Sequence, residues 1–373
     1  MRIAINTRLL LPHRLDGIGW FTYETCRRMV LQHPEHEFFF LFDRTPDPQF
    51  LFADNVKPVV LFPQARHPFL WMVYFDISLP WVLKKYHIDL FLSTDGWMSL
   101  RTKVPTLDVI HDLNFEHSPG YLKPTYQWYM TRFFPRFVQK ARRIATVSEF
   151  SKKDIADTYH IDPNKIDVVY DGAHCDYKPC SPDEKIAIRG RYTQGNPYFI
   201  FIGTISKRKN LGNMLRAFDQ FKRDDRHSTK FVVVGATMFG KGEISDIYRS
   251  LRYKEDVIFL GRVEAQELAR LLGAAEALLF ASLFEGFGIP ILEAFMAETP
   301  VITSNVTSMP EIAGDAALIV NPTSIGEIAQ AMTSIMQKPH LADELIALGR
   351  EQRQHFSWDR TAALLWESLM KTR

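Results

Sequence analysis

The feature that most restricts how this chain can fold is a repeated alternation of short apolar segments with longer amphipathic ones. In the first half, strand-like runs fall at Arg2–Asn6, Phe38–Phe42, Pro58–Leu61, Leu90–Ser93, Thr106–Ile110, Ile144–Val147 and Ile166–Val169. Helix-period patterns lie between several of them, at Ile18–Leu31, Leu70–Tyr86, Pro124–Lys140 and Glu149–Tyr159. Strands that alternate with helices need crossover connections, and those build parallel sheets. The expected fold class is therefore α/β.

The alternation breaks between Asp171 and Pro197, a stretch rich in proline, glycine and charge. It reads as a linker carrying one short helix. A second series follows at Tyr198–Gly203, Lys230–Gly235, Val257–Leu260, Ala277–Ala281, Pro300–Thr303 and Ala317–Val320. The reading is an N-terminal Rossmann-like domain over residues 1–175, a linker over 176–196 and a second Rossmann-like domain over 197–355. Doubly wound sheets bind ligands beyond the carboxyl ends of their strands, so the expected site is a cleft faced by loops that follow strands.

The 373 residues suffice for two cores, with 46% hydrophobic and 24% charged residues. A net charge of +2 argues against nucleic acid as a partner. The three cysteines, Cys26, Cys175 and Cys180, have no zinc or redox spacing and read as thiols of a reducing compartment. Met1–Asn6 reads as a strand and not as a leader peptide. No apolar run reaches the roughly 18–20 residues of a membrane span. The expected location is cytoplasmic, with peripheral contact to the inner face of a membrane left open.

The strongest motif is Phe284-Glu285-Gly286-Phe287-Gly288-Ile289-Pro290-Ile291-Leu292-Glu293, directly after a strand. Its glycines allow a tight turn and close approach of backbone to ligand. Pro290 suits the first position of a helix, whose N-terminus is an anion site. Glu285 precedes that helix and Glu293 lies about one turn inside it. A surface ion pair is the plain alternative for such glutamates, but the glycine–proline context favours a site. The motif resembles the two-glutamate signature of retaining GT-B glycosyltransferases, with glycosyltransferase family four the nearest match. Ala297–Thr303 and Met309–Ala317 continue in the family style, and the resemblance covers nearly the whole chain.

Further segments fit the same resemblance. Lys207-Arg208-Lys209 lies between a strand and a helix; a solvated charge run is the plain reading, a diphosphate clamp the functional one. The family places equivalents of Arg208 and Lys209 at the donor diphosphate. Thr204 departs from the arginine that many members carry after the glycine, which shifts the expected load to Arg208. Asp16-Gly17-Ile18-Gly19 resembles the family's N-terminal glycine loop, placing Gly17 and Gly19 under the donor phosphates. His111-Asp112-Leu113, at the end of a strand, resembles the family's histidine segment and puts His111 beside the transferring sugar. Val147–Lys152 also matches, and reads mainly as a helix start capped by Ser148. The last helix, within residues 356–373, resembles the segment that crosses back to the first domain.

Several features read as decoys. Gly235–Gly242 nearly spells a P-loop, but Gly242 stands where the magnesium-binding Ser or Thr belongs. His33 and His36 have no third ligand nearby and read as surface. The chain contains no Asp-x-Asp triplet. The basic, aromatic stretch Arg132–Arg143 and the aromatic stretch His67–Tyr86 read more simply as core-facing helices than as a membrane-resting face.

The resemblance implies metal-independent, retaining transfer with no cofactor. His111 and Glu285 would be catalytic; Gly17, Gly19, Arg208, Lys209, Gly286, Phe287, Gly288 and Glu293 would bind a nucleotide-diphosphate sugar. The acceptor would be a saccharide or lipid-linked saccharide of cell-surface polysaccharide synthesis, with mannose from GDP-mannose the leading donor. A nucleotide-sugar epimerase of the same fold and a non-catalytic relative are the rivals. A phosphorylase lacks support, because no pyridoxal-binding lysine segment is recognisable.

Overall fold

The structure is a computed structural model, and it describes all residues except 13–14, 119–122, 175, 226–227 and 236–241. The chain divides into two compact units, Met1–Asp171 with Ser357–Arg373, and Gly172–Phe356.

In the first unit the described residues form a seven-stranded parallel sheet: β1 (Arg2–Asn6), β2 (Glu37–Phe42), β3 (Val56–Val60), β4 (Leu90–Ser93), β5 (Thr106–Val109), β6 (Arg143–Thr146) and β7 (Ile166–Val168). Their order is β3-β2-β1-β4-β5-β6-β7. Helices cover both faces, which is why β2 reads as the nearly unbroken apolar run Phe38–Phe42. The strand order reverses between β1 and β4, so the loops after these two strands diverge and leave room for a ligand.

In the second unit the described residues form a six-stranded parallel sheet: β8 (Tyr198–Ile202), β9 (Lys230–Val234), β10 (Val257–Gly261), β11 (Ala277–Phe280), β12 (Val301–Ser304) and β13 (Leu318–Val320). The order is β10-β9-β8-β11-β12-β13, with the reversal between β8 and β11. Both units are thus doubly wound, with strand ends within one or two residues of those read from the sequence. The proline-rich stretch holds the helix Pro182–Thr193, started by a capping box between Ser181 and Glu184, and this helix belongs to the second unit.

Helix Trp358–Met370 lies in the first unit on helix Gly17–Gln32. Phe21 meets Trp358 edge-on at 6.3 Å, and Arg28 Nε donates to Asp359 Oδ1 at 2.7 Å. His33 stacks on Trp366 with ring centroids 3.7 Å apart, and His36 stacks there at 5.3 Å. The two histidines are therefore not free surface groups, as their sequence context suggested; they fasten the last helix. That contact joins residues distant in sequence, and no local pattern announces it.

The continuous helix expected at Leu70–Tyr86 is α-helical at Pro68–Val73, π-helical at Tyr74–Ser78 and α-helical again at Leu79–Lys85. Pro80 has no N–H to return to the carbonyl of Asp76, and its ring crowds that carbonyl, so the ladder widens there.

Candidate functional site

Two loops meet at the strand reversal of the second unit, and both carry residues singled out by the sequence. After β8, Ser206 caps a 3₁₀ turn at Lys207–Lys209, and Asn210 ends it with φ 58°. Asn210 Nδ2 donates to the carbonyls of Ala281 (2.8 Å) and Pro322 (2.7 Å), pinning this turn to the loops after β11 and β13. Leu283 N donates to the Arg208 carbonyl at 2.8 Å. The cations are thereby placed over the two-glutamate segment by backbone contacts and not by charge alone.

Arg208 Nη1 donates to Glu285 Oε2 at 2.6 Å and to the Phe284 carbonyl at 2.9 Å. Lys209 Nζ lies 2.7 Å from Glu285 Oε1 and 4.9 Å from the centre of the Phe280 ring. Glu285 is only 6% exposed. Burial pushes its carboxyl up, but Lys209 and then Arg208 outweigh burial and hold it below the usual glutamate value. Its backbone is fixed as well. Glu285 N donates to Thr307 Oγ1 at 3.2 Å, and Ser308 Oγ donates to the carbonyls of Glu285 and Phe287.

Gly288 stands at φ 111°, a conformation that side chains resist, and starts helix Ile289–Met296. Pro290 sits in its first turn. The Phe287 ring is buried and meets Phe356 at 5.8 Å, so this side chain serves packing. Glu293, inside the helix, is hydrogen-bonded by the buried Tyr177. Burial pushes its carboxyl up to about 7, against the opposing pull of the Tyr177 hydroxyl and Lys209. Lys209 thus acts on both glutamates.

The first unit gathers a second constellation around its own reversal. Asp16 caps helix Gly17–Gln32 by accepting from Gly19 N at 2.9 Å. Gly17 opens this helix. A Cβ at Gly19 would stand 3.1 Å from Leu15 Cδ2 and 3.3 Å from the Leu9 carbonyl oxygen, so a side chain there would have to push its neighbours aside by a few tenths of an ångström. His111 follows β5, and its Nε2 lies 2.9 Å from the Thr94 carbonyl oxygen, a contact that requires Nε2–H. Phe21 meets its ring edge-on at 4.9 Å, and burial keeps its pKa below 6.5. Ser148 caps the next helix, whose Ser151 hydroxyl donates to the His111 carbonyl at 3.3 Å.

Sequence reading missed three residues that the fold brings to these loops. Arg8 Nε and Asp95 Oδ2 form a buried pair at 2.7 Å beyond the ends of β1 and β4, and Asn6 Nδ2 donates to the other Asp95 oxygen at 2.8 Å. This network holds the turn whose Thr94 carbonyl accepts the hydrogen bond from His111 Nε2. Tyr177, in the proline-rich stretch, is the third. None of these sits in a recognisable motif.

The near-P-loop stretch lies, from residue 236 to 241, outside the described residues, as does Cys175. Among the described residues no three His, Cys, Asp or Glu side chains gather as a metal ion would need. No helix among them is long and apolar enough to cross a membrane.

Comparison with known proteins bears on the family and the fold. Residues 15–177 match the model of Glycosyltransferase Family 4, and residues 183–352 match that of Glycosyl transferases group 1. O-antigen chain mannosyltransferase B of Escherichia coli is 28% identical over 75% of this chain and 73% of its own length. O-antigen chain mannosyltransferase RfbU of Salmonella typhimurium is 28% identical over 73% of this chain and 72% of its own. Among solved structures, sucrose-phosphate synthase from Thermosynechococcus elongatus aligns with a TM-score of 0.78 over 100% of both chains at 16% identity, a likeness of fold.

Proposed function

We propose, for a chain that belongs to the family 4, group 1 glycosyltransferases and has their GT-B fold, that it transfers a hexose with retention from a nucleotide diphosphate to a saccharide acceptor. Mannose from GDP-mannose is the first candidate donor, because two relatives are named O-antigen mannosyltransferases. A saccharide of cell-surface polysaccharide synthesis, free or lipid-linked, is the acceptor class that those names favour.

The observation that carries the reading is the pairing of Arg208 and Lys209 with Glu285 at the strand reversal of the second unit. When the bond between the sugar C1 and the diphosphate oxygen breaks, negative charge grows on that oxygen and positive character on the sugar. The two cations stabilise the departing diphosphate, the kind of electrostatic contribution that usually dominates catalysis. They are positioned in advance by Asn210 and Leu283, so little reorganisation is needed. Glu285, kept ionised, accepts hydrogen bonds from sugar hydroxyls. Glu293 accepts from the ribose diol.

The acceptor hydroxyl forms the new bond to C1 on the face the leaving group departs, and its proton passes to the departing phosphate oxygen. No strong protein base is then required, and the two cations replace the charge a metal would supply. In the first unit, His111 is assigned to the sugar side, neutral and with Nδ1 as its acceptor nitrogen, since Nε2–H is engaged by Thr94.

The test is a thermal-shift panel with GDP, UDP, dTDP and ADP, followed by product analysis with the sugar form of the ligand that binds. Binding raises the midpoint by mass action, and the expected responder is GDP. Anomeric analysis should show retention, and EDTA should leave the rate unchanged. Clean conversion of a nucleotide sugar to its epimer without acceptor would favour the isomerase reading instead. No response to any nucleotide would remove the proposal.

A further inference from the structure

We infer that the first unit carries a docking surface for the interfacial zone of a bilayer with anionic headgroups, formed by the outer face of residues 68–85 and the helix beside it. The inference concerns a surface remote in sequence from the clamp, and it stands apart from the sugar chemistry proposed above.

The segment at residues 68–85 is apolar on both sides, and only one side is used by the fold. Trp71, Tyr74, Phe75, Leu79, Val82 and Leu83 are buried in the core of the unit. Phe69, Val73, Ile77 and Trp81 point to solvent, Trp81 with 62% of its surface exposed. These four recur every fourth residue. In a regular α-helix such a series drifts about 40° per step, because each turn takes about 3.6 residues. The π turn at Tyr74–Ser78 winds more slowly and reduces that drift, and all four side chains remain exposed. Phe62, 82% exposed, is held alongside because the Ser78 hydroxyl donates to its carbonyl. A continuous apolar ridge of this kind is rare on a monomer without a partner.

Charge selects the partner. Residues 56–88 contain a single acid, Asp76, whose carboxylate is turned inward to accept from Leu100 N at 2.7 Å. Lys84 and Lys85 end the segment, and Lys85 Nζ lies 4.9 Å from the Trp81 ring. Helix Pro124–Lys140 packs against Pro68–Val73, with Tyr126 meeting Trp71 edge-on at 4.9 Å. Residues 123–143 contain no acid at all. This helix exposes Trp128, Arg132, Arg136 and Lys140, again every fourth residue. Arg132, Arg136 and Lys140 make no ion pair among the described residues.

An apolar ridge with tryptophan, next to unneutralised cations, matches a headgroup layer above acyl chains. A second copy of this chain fits less well, because a twofold contact would set this basic surface against itself. The expectation from sequence that both stretches face the core thus holds for half of each helix only.

The test is co-sedimentation of the full chain with vesicles of phosphatidylcholine, with and without phosphatidylglycerol, at low and high salt. The wild type should bind only the acidic vesicles, and high salt should release it. Ile77→Ser combined with Trp81→Ser should lower partitioning about tenfold or more, since apolar burial sets the depth of binding. Arg132→Glu combined with Arg136→Glu should abolish binding, with melting curves close to wild type in both variants. A wild type that stays in the supernatant with acidic vesicles at low salt would overturn the inference. So would double variants that bind as wild type, or light scattering that shows a dimer dispersed by the Ile77/Trp81 change. Vesicle binding requires no nucleotide sugar, so failure here and failure of the transfer assay remain distinguishable.

Discussion

Arg208 and Glu285 are joined by an ion pair of 2.6 Å that links the loop after β8 to the loop after β11, with Lys209 on the other carboxylate oxygen at 2.7 Å. One carboxylate thereby sets the position of both cations. The three side chains should act as one unit in catalysis.

Arg208→Ala and Lys209→Ala should each lower kcat about 10²- to 10³-fold, the usual cost of removing one stabiliser of developing charge. The double variant should lose less than the product of the two. Glu285→Ala should lower transfer sharply while the circular dichroism spectrum stays native, because both cations retain access to water. Steady-state kinetics of the four proteins check this, and full activity in Glu285→Ala would refute the role assigned to it.

Glu293 offers a pH signature. Its carboxyl, ordinarily at 4.5, is pushed up to about 7 by burial. Only the ionised form accepts two hydroxyl hydrogen bonds, so donor KM should fall as pH rises through about 7. Stability should run the opposite way. A raised folded pKa contributes stability that is complete below about 4.5 and lost as pH rises through about 7. Glu293→Gln should flatten both the KM profile and the melting-temperature profile between pH 5 and pH 8.

His111 should behave in the reverse sense. Burial lowers its pKa from 6.5, so its contribution to stability is present above 6.5 and lost as pH falls through the lowered value. Urea midpoints at pH 7 and pH 5 should differ more in the wild type than in His111→Ala. The same variant should lose kcat while nucleotide affinity in the thermal-shift panel stays within about twofold, since its assigned contact is to the sugar.

Gly288 tests the loop geometry. At φ 111° any side chain is strained, and a Cβ would stand 3.2 Å from Ile291 Cδ1. Gly288→Ala should cost about 1–3 kcal/mol of stability and weaken donor binding. Chemical denaturation and donor KM provide the two readings. An alanine variant with wild-type values in both would show that the turn is not constrained as described.

The sequence by itself determined the two parallel sheets, the boundaries of most strands and the two loops that carry Arg208, Lys209, Glu285 and Glu293. These depend on short periodicities and on glycine and proline chemistry, which act within about ten residues. The tertiary structure alone decided that Arg8 meets Asp95 across 87 positions, that Tyr177 bonds Glu293, and that His33 and His36 stack on Trp366. It also decided which half of the aromatic segment at residues 68–85 is buried. Strand order and helix rotation set such contacts, and a chain that is apolar on both sides of a helix carries no local signal of which side the core will take.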